Sequence, residues 1–218
     1  MLPWFPALTD ASAKALANLR NAGNFQWYLI PFLALIIYCY VTEAQKRNWS
    51  IVLAGVAFFG GEFLWEMFNG LVLHWSNRSA MWTTPGSSTA FLIFVGLTIE
   101  ISMMFAIAGL FFTKLLPEDK KQKILGLPNR LFYILGFALF CVFVEVILNK
   151  WGALVWDYAW WRWPNIELII VAYAGGFWLL TWFYDLDVSL KIKTAMTVAL
   201  YCADVVAFLV FAVALKWV

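Results

Sequence analysis

Residues 49–74 read WSIVLAGVAFFGGEFLWEMFNGLVLH. Crossing a bilayer core takes about 20 apolar residues at about 1.5 Å each, and this run is long enough. It nevertheless carries two carboxylates, Glu62 and Glu66, with Asn69 three positions further on. At helical spacing these three share one face. A polar stripe at membrane depth has to turn inward, toward other helices or water. The stretch therefore decides the fold class, helical and membrane-spanning, and marks where chemistry is to be sought.

Five more runs of the same kind flank it. The six expected spans are Phe25 to Thr42, Trp49 to His74, Thr89 to Leu115, Leu131 to Lys150, Ile166 to Tyr184 and Thr194 to Trp217. Between them lie charge and turn signals such as Pro85-Gly86, Pro117 to Arg130 and Trp163-Pro164. The chain reads as an all-α, polytopic transmembrane bundle of about six spans over residues 25–218. Residues 1–24, with Thr9 and Asp10 as helix caps, read as an amphipathic segment lying on the membrane surface. Composition agrees: 64% of the 218 residues are hydrophobic, 13% are charged and mean hydropathy is +0.79. A soluble domain carries about 45–50% apolar and about 25% charged residues. The net charge of +2 gives no reason to expect a nucleic-acid partner.

Six spans put both termini on one side. That side holds Lys14, Arg20, Arg78, Lys150, Arg162 and Lys216. The other holds Lys46, Arg47, Lys114, Lys120, Lys121, Lys123, Arg130, Lys191 and Lys193. The excess of basic residues places the odd loops in the cytoplasm and the termini outside, in a multi-pass protein of a bacterial inner membrane. A weak duplication runs through spans two to five. Glu66 is followed by Trp82 and Pro85, and Glu145 by Trp161 and Pro164, at the same spacings.

Glu62, Glu66, Glu100, Glu145 and Asp204 all fall inside expected spans, with no Lys or Arg at comparable depth. A charged carboxylate at the bilayer centre costs at least about 2.5–3.5 kcal/mol. Several of the five are therefore expected to carry a proton, which makes them hydrogen-bond donors and potential acids. Counted from the outer ends of their spans they lie roughly 8–20 Å deep, and they are expected to share one layer around a common hollow. Asn149 repeats on Glu145 the neighbourly placement of Asn69 on Glu66. Aromatic residues make up 19% of the chain. Trp82, Trp156 and Trp161 in the even loops, with Trp65 in span two, are expected to wall that hollow, and Asn69, Glu145 and Asn149 to contact its occupant. Ring faces can hold an apolar ligand and stabilise positive charge. Asp157 and Arg162 are expected to form a surface ion pair, and the pairs Gly60-Gly61 and Gly175-Gly176 to permit close helix packing.

His74 is the only histidine, which excludes multi-histidine iron sites and bis-histidine haem. The sequence has no P-loop and no dinucleotide fingerprint. No cofactor and no metal site are expected.

The Trp65-Glu66-Met67-Phe68 stretch, followed by an aromatic loop and an acid-bearing third span with Glu100, resembles the integral membrane terpene cyclases of fungal meroterpenoid pathways. Those proteins have a Trp-Glu motif in an early span and an Asp in the last. The resemblance implies that Glu66 and Asp204 act as proton donor and partner. It departs from the family in span count, which is usually seven. On the residues themselves, an acid-catalysed cyclase or isomerase of an isoprenoid-like lipid would use Glu66 as acid, with Glu62, Glu100 and Asp204 as relay or base. The same pattern suits a proton- or cation-coupled small-molecule transporter, and also an accessory subunit that docks against other membrane proteins. The expected partners are the bilayer, an apolar lipid and, for the last reading, partner subunits.

Overall fold

The computed structural model describes residues 7–86 and 91–218. Its helices are α1 (Asp10–Asn18), α2 (Leu29–Gln45), α3 (Trp49–Ser76), α4 (Ile99–Leu115), α5 (Asn129–Lys150), α6 (Glu167–Asp185) and α7 (Leu190–Ala207). The last continues as a π-helical stretch over Phe208–Ala214. Four of them, α3, α5, α6 and α7 with its continuation, are long and apolar enough to cross a membrane. Helices α2 and α4 have 17 residues each, about 25 Å, at the short end of what spans a bilayer. The fold is a helical membrane bundle, with helices at all six expected positions.

Its outer faces are apolar. Ile30 of α2, Phe140 of α5, Val171 of α6 and Val206 of α7 are each at least 60% exposed, a surface suited to acyl chains rather than to water. Helix α3 is central and packs on α2, α4, α6 and α7, while α5 packs on α6. Gly109 of α4 lets α3 approach closely, because a Cβ there would stand 2.8 Å from Phe58. Phe112, Phe177 and Ile134 join α4, α6 and α5 in one buried cluster.

The largest departure from expectation lies before α4. The third span was expected to begin at Thr89, a residue outside the described ones. The chain from Phe91 to Thr98 is not helical. Leu92–Phe94 (β1) and Leu97–Thr98 (β2) form a small antiparallel hairpin, and α4 starts only at Ile99, where the Thr98 hydroxyl accepts from the Ile101 N–H. The described parts of the connection, residues 77–86 and 91–98, are folded inward, with Ala80 to Thr84, Leu92, Phe94, Val95, Leu97 and Thr98 all buried. Irregular backbone tolerates that only when protein groups satisfy it. Here Thr83 exchanges two backbone bonds with Val155 at 3.0 and 2.8 Å, and the Thr84 N–H reaches the Val95 carbonyl at 2.8 Å. A second hairpin, Lys123–Ile124 (β3) with Leu127–Pro128 (β4), turns through Leu125 and Gly126, both at positive φ, as a two-residue hairpin turn requires.

Helix α1 begins as expected, with the Thr9 hydroxyl accepting from the Ser12 N–H. It also packs against the bundle. Ala15 packs with Leu73, Ala80, Leu92 and Val95, so α1 covers the end of the bundle where the inward loop enters. Asp157 pins it there, accepting from both Thr9 and Ser79 hydroxyls at 2.7 Å. The expected ion pair with Arg162 is not formed among the described residues; the two hydroxyls hold this carboxylate instead.

Candidate functional site

A cavity of about 940 Å³ lies between α3 and α4 on one side and α5 and α6 on the other. Glu62, Glu66 and Glu145 line it, with Trp65, Trp82, Trp161, Tyr173 and Phe105. The fold produces this convergence directly. Glu62 and Glu66 are one turn apart on the face of α3 turned toward α5. Glu66 stands ten residues before the end of α3 at Ser76, about 15 Å down from it. The inward loop descends to the same level and delivers Trp82.

Asn69 makes that delivery. Its Oδ1 accepts from the Met81 N–H at 2.8 Å and from the Trp82 N–H at 3.4 Å, and its Nδ2 donates to the Trp82 carbonyl at 2.8 Å. With the backbone of Trp82 fixed, its indole Nε1 donates to Glu66 Oε1 at 2.8 Å. Gly96 closes over the pair: a Cβ there would stand 2.4 Å from the Trp82 Nε1 and 2.5 Å from the Asn69 Nδ2. Glu66 is 1% exposed, and its Oε2 has no hydrogen-bond partner among the described residues.

Glu145 reaches the cavity from α5 and accepts from the Tyr173 hydroxyl of α6 at 2.5 Å. The spacing shared by the two acid–Trp blocks has a spatial counterpart. Trp82 and Trp161 stack at 5.7 Å, and Trp65 extends the stack at 5.9 Å from Trp82. Asn149 repeats the role of Asn69 with a single bond to the Leu154 carbonyl at 3.0 Å. The symmetry stops at the acids, since Glu66 takes an indole and Glu145 a phenol.

Two of the five expected acids stand elsewhere. Glu100 lies in the first turn of α4 and accepts from Tyr28 at 2.5 Å. It was expected at mid-span because the residues before it were read as helix. Asp204 lies on α7 against α3, its Oδ2 3.3 Å from where a Cβ on Gly60 would stand. Neither lines the cavity: Glu100 is held against Tyr28, and Asp204 stands at the contact of α7 with Gly60, although Leu200 of α7 does reach the cavity. Among the other expected contact residues, Trp65, Trp82, Glu145 and Trp161 line the cavity. Asn69, Asn149 and Trp156 are not in its lining: the two Asn side chains hold loop backbone, and Trp156 is buried in one cluster with Trp82 and Trp161. His74 stacks on Trp217 at 4.5 Å, apart from the acids. Among the described residues no three His, Cys, Asp or Glu side chains are grouped so that they could hold a metal ion.

Sequence reading missed Tyr173, Gly96 and Cys141, all of which line the cavity. Tyr173 had a signal, a phenol in the middle of an apolar run. Gly96 had none, because its partner Trp82 is brought beside it only by the inward loop.

The fold and the cavity define a polytopic helical membrane protein with an acid-lined interior. The chain belongs to an uncharacterized membrane protein family, whose model matches residues 9–213. It is also similar to an uncharacterized protein of Archaeoglobus fulgidus, with 45% identity over 212 residues that cover 96% of this chain and 99% of that protein. No solved structure matches it.

Proposed function

We propose that the chain is a membrane enzyme that isomerises or cyclises an unsaturated, isoprenoid-like lipid by proton transfer within this cavity. One observation carries the reading. Glu66 is held by the Trp82 indole in an aromatic-walled cavity, with its second oxygen unpartnered among the described residues, and another carboxyl group, Glu145, lines the same space. General acid–base chemistry on an apolar substrate needs such a pair, one group to give a proton and one to take it.

In this reading Glu66 gives its proton to an alkene carbon. A C–H bond forms and a carbocation is left on the neighbouring carbon, facing the Trp65–Trp82–Trp161 stack, whose ring faces favour positive charge. Cyclisation forms a C–C bond from a second double bond to that cation. Glu145, already oriented by Tyr173, takes a proton from the carbon next to the final cation and restores a double bond. Glu62, one turn from Glu66, reloads Glu66 with a proton from water, and Glu145 releases the proton it has taken to water. Substrate and product are isomers, so no oxidant or reductant enters. The resemblance to the membrane terpene cyclases agrees in the use of Glu66, whereas the partner is here Glu145 in place of Asp204. The matching orientation puts the inward loop and both termini outside and the basic odd loops in the cytoplasm.

The test is an untargeted lipid comparison of membranes holding wild type, Glu66→Gln or Glu145→Gln. The expected result is one lipid that accumulates in both variants and an isomer of it that only wild type makes. Identical lipid profiles, or uptake of a solute driven by a pH gradient with no new lipid, would replace the enzyme with the transporter.

A further inference from the structure

Two features of the cavity say what it can hold. The first is charge. Among the described residues its lining includes three carboxyl groups and no Lys, Arg or His. A phosphate or carboxylate head placed there would lose its water and find no cationic side chain to pair with. The second is the room left by glycine. Gly60 does pack tightly, since a Cβ there would stand 3.0 Å from Leu200. Gly61 and Gly175 behave oppositely: both line the cavity, and a Cβ on either would meet nothing within 4 Å among the described residues. Gly176 also lines it, and its Cβ would meet only Phe58, at 3.8 Å. These three glycines do not bring helices together. Each leaves empty space where a side chain would intrude.

The rim adds a route. Met104 and Phe111 of α4 and Phe140 of α5 line the cavity and are 44%, 47% and 62% exposed. In a bilayer, an opening edged by such side chains faces acyl chains. We propose that the cavity is the binding site of an uncharged lipid chain that enters sideways from the bilayer, and that Gly61, Gly175 and Gly176 set the width of chain it accepts. The inference rests on the reading of this cavity as the reaction site and names its occupant. At 940 Å³ the space is at the upper end of ordinary ligand sites, about 300–1,000 Å³, which suits a long, flexible chain folded on itself.

The experiment uses one hydrocarbon chain with three heads: geranylgeraniol, its diphosphate and the corresponding amine. Binding to the full-length protein in detergent is read by native mass spectrometry. The alcohol is expected to bind, and the diphosphate to bind about tenfold more weakly or worse, the penalty of an unpaired buried anion. Gly61→Leu and Gly175→Leu are expected to melt like wild type and to lose about tenfold in alcohol binding. Equal or tighter binding of the diphosphate overturns the proposal. So does binding of the amine without binding of the alcohol, which would mark a site for lipophilic cations alone. Full alcohol binding by both leucine variants would overturn the role of the glycines. Alcohol binding together with lipid profiles unchanged by Glu66→Gln would end the catalytic reading and leave this one standing.

Discussion

Replacing Asn69 with alanine tests whether the inward loop is held as described. Asn69 is fully buried and supplies the bonds that fix Met81 and Trp82 beside α3. Alanine leaves the Met81 N–H and the Trp82 carbonyl buried without that partner. Each such orphan costs about 1–3 kcal/mol, and toward the lower end of that range the two together cost about 3 kcal/mol. For a chain of this size that lowers the melting temperature by about 6–12 °C. Asn149→Ala is the matched control. Its side chain makes one bond, to the Leu154 carbonyl, at a half-buried site, worth about 1 kcal/mol and about 2–4 °C. Melting of both variants in the same detergent, followed by tryptophan emission, measures the difference. If Asn69→Ala melts no lower than Asn149→Ala, Asn69 does not anchor the loop, and the placement of Trp82 on Glu66 loses its cause.

Three further outcomes follow from other contacts. Gly96→Ala puts a methyl group 2.4 Å from the Trp82 Nε1, so it should shift tryptophan emission and melting much as Asn69→Ala does, whereas Gly61→Ala, with open space at its Cβ, should leave both unchanged. Lys114→Met removes the cation 2.6 Å from the buried Glu43 carboxylate, which then keeps Asn48 at 2.8 Å and the more distant Lys46 at 3.5 Å. The expected loss is about 1–2 kcal/mol, read as a lower melting temperature that Glu43→Gln on top of it partly restores. Arg130→Lys replaces a two-pronged grip on Asp185, at 2.9 and 3.0 Å, with a single contact. It should loosen the ends of α5 and α6 by about 1 kcal/mol, seen as faster hydrogen exchange there.

What could be read from the sequence was whatever depends on local periodicity. The long apolar runs located six helices, and the i,i+4 spacing of Glu62 and Glu66 put both on one face. The shared spacing of Glu66–Trp82 and Glu145–Trp161 marked two acids and two indoles that the structure brings to one cavity. The failures came where tertiary packing overrode hydropathy. Residues Phe91 to Thr98 are apolar enough to continue a span, but they are buried beside α3 and α1 with backbone partners of their own, so burial without helix satisfied them equally well. That misreading put Glu100 in the middle of a helix, whereas it stands in the first turn of α4 beside Tyr28. Asp204 failed for a different reason, because depth along a helix says nothing of which neighbour the side chain faces. The glycine pairs divided for a similar reason, with Gly60 against α7 and Gly61, one position on, at the cavity.

Deuterium transfer from solvent tests the central claim most directly. The lipid that accumulates in Glu66→Gln membranes is given to wild-type protein in nanodiscs prepared in heavy water, and the product is analysed by mass spectrometry. A carboxyl group at Glu66 exchanges with solvent before it acts, so the product should be an isomer of the substrate carrying one carbon-bound deuterium. Conversion without deuterium, or no conversion by the wild type, would contradict proton transfer from this acid.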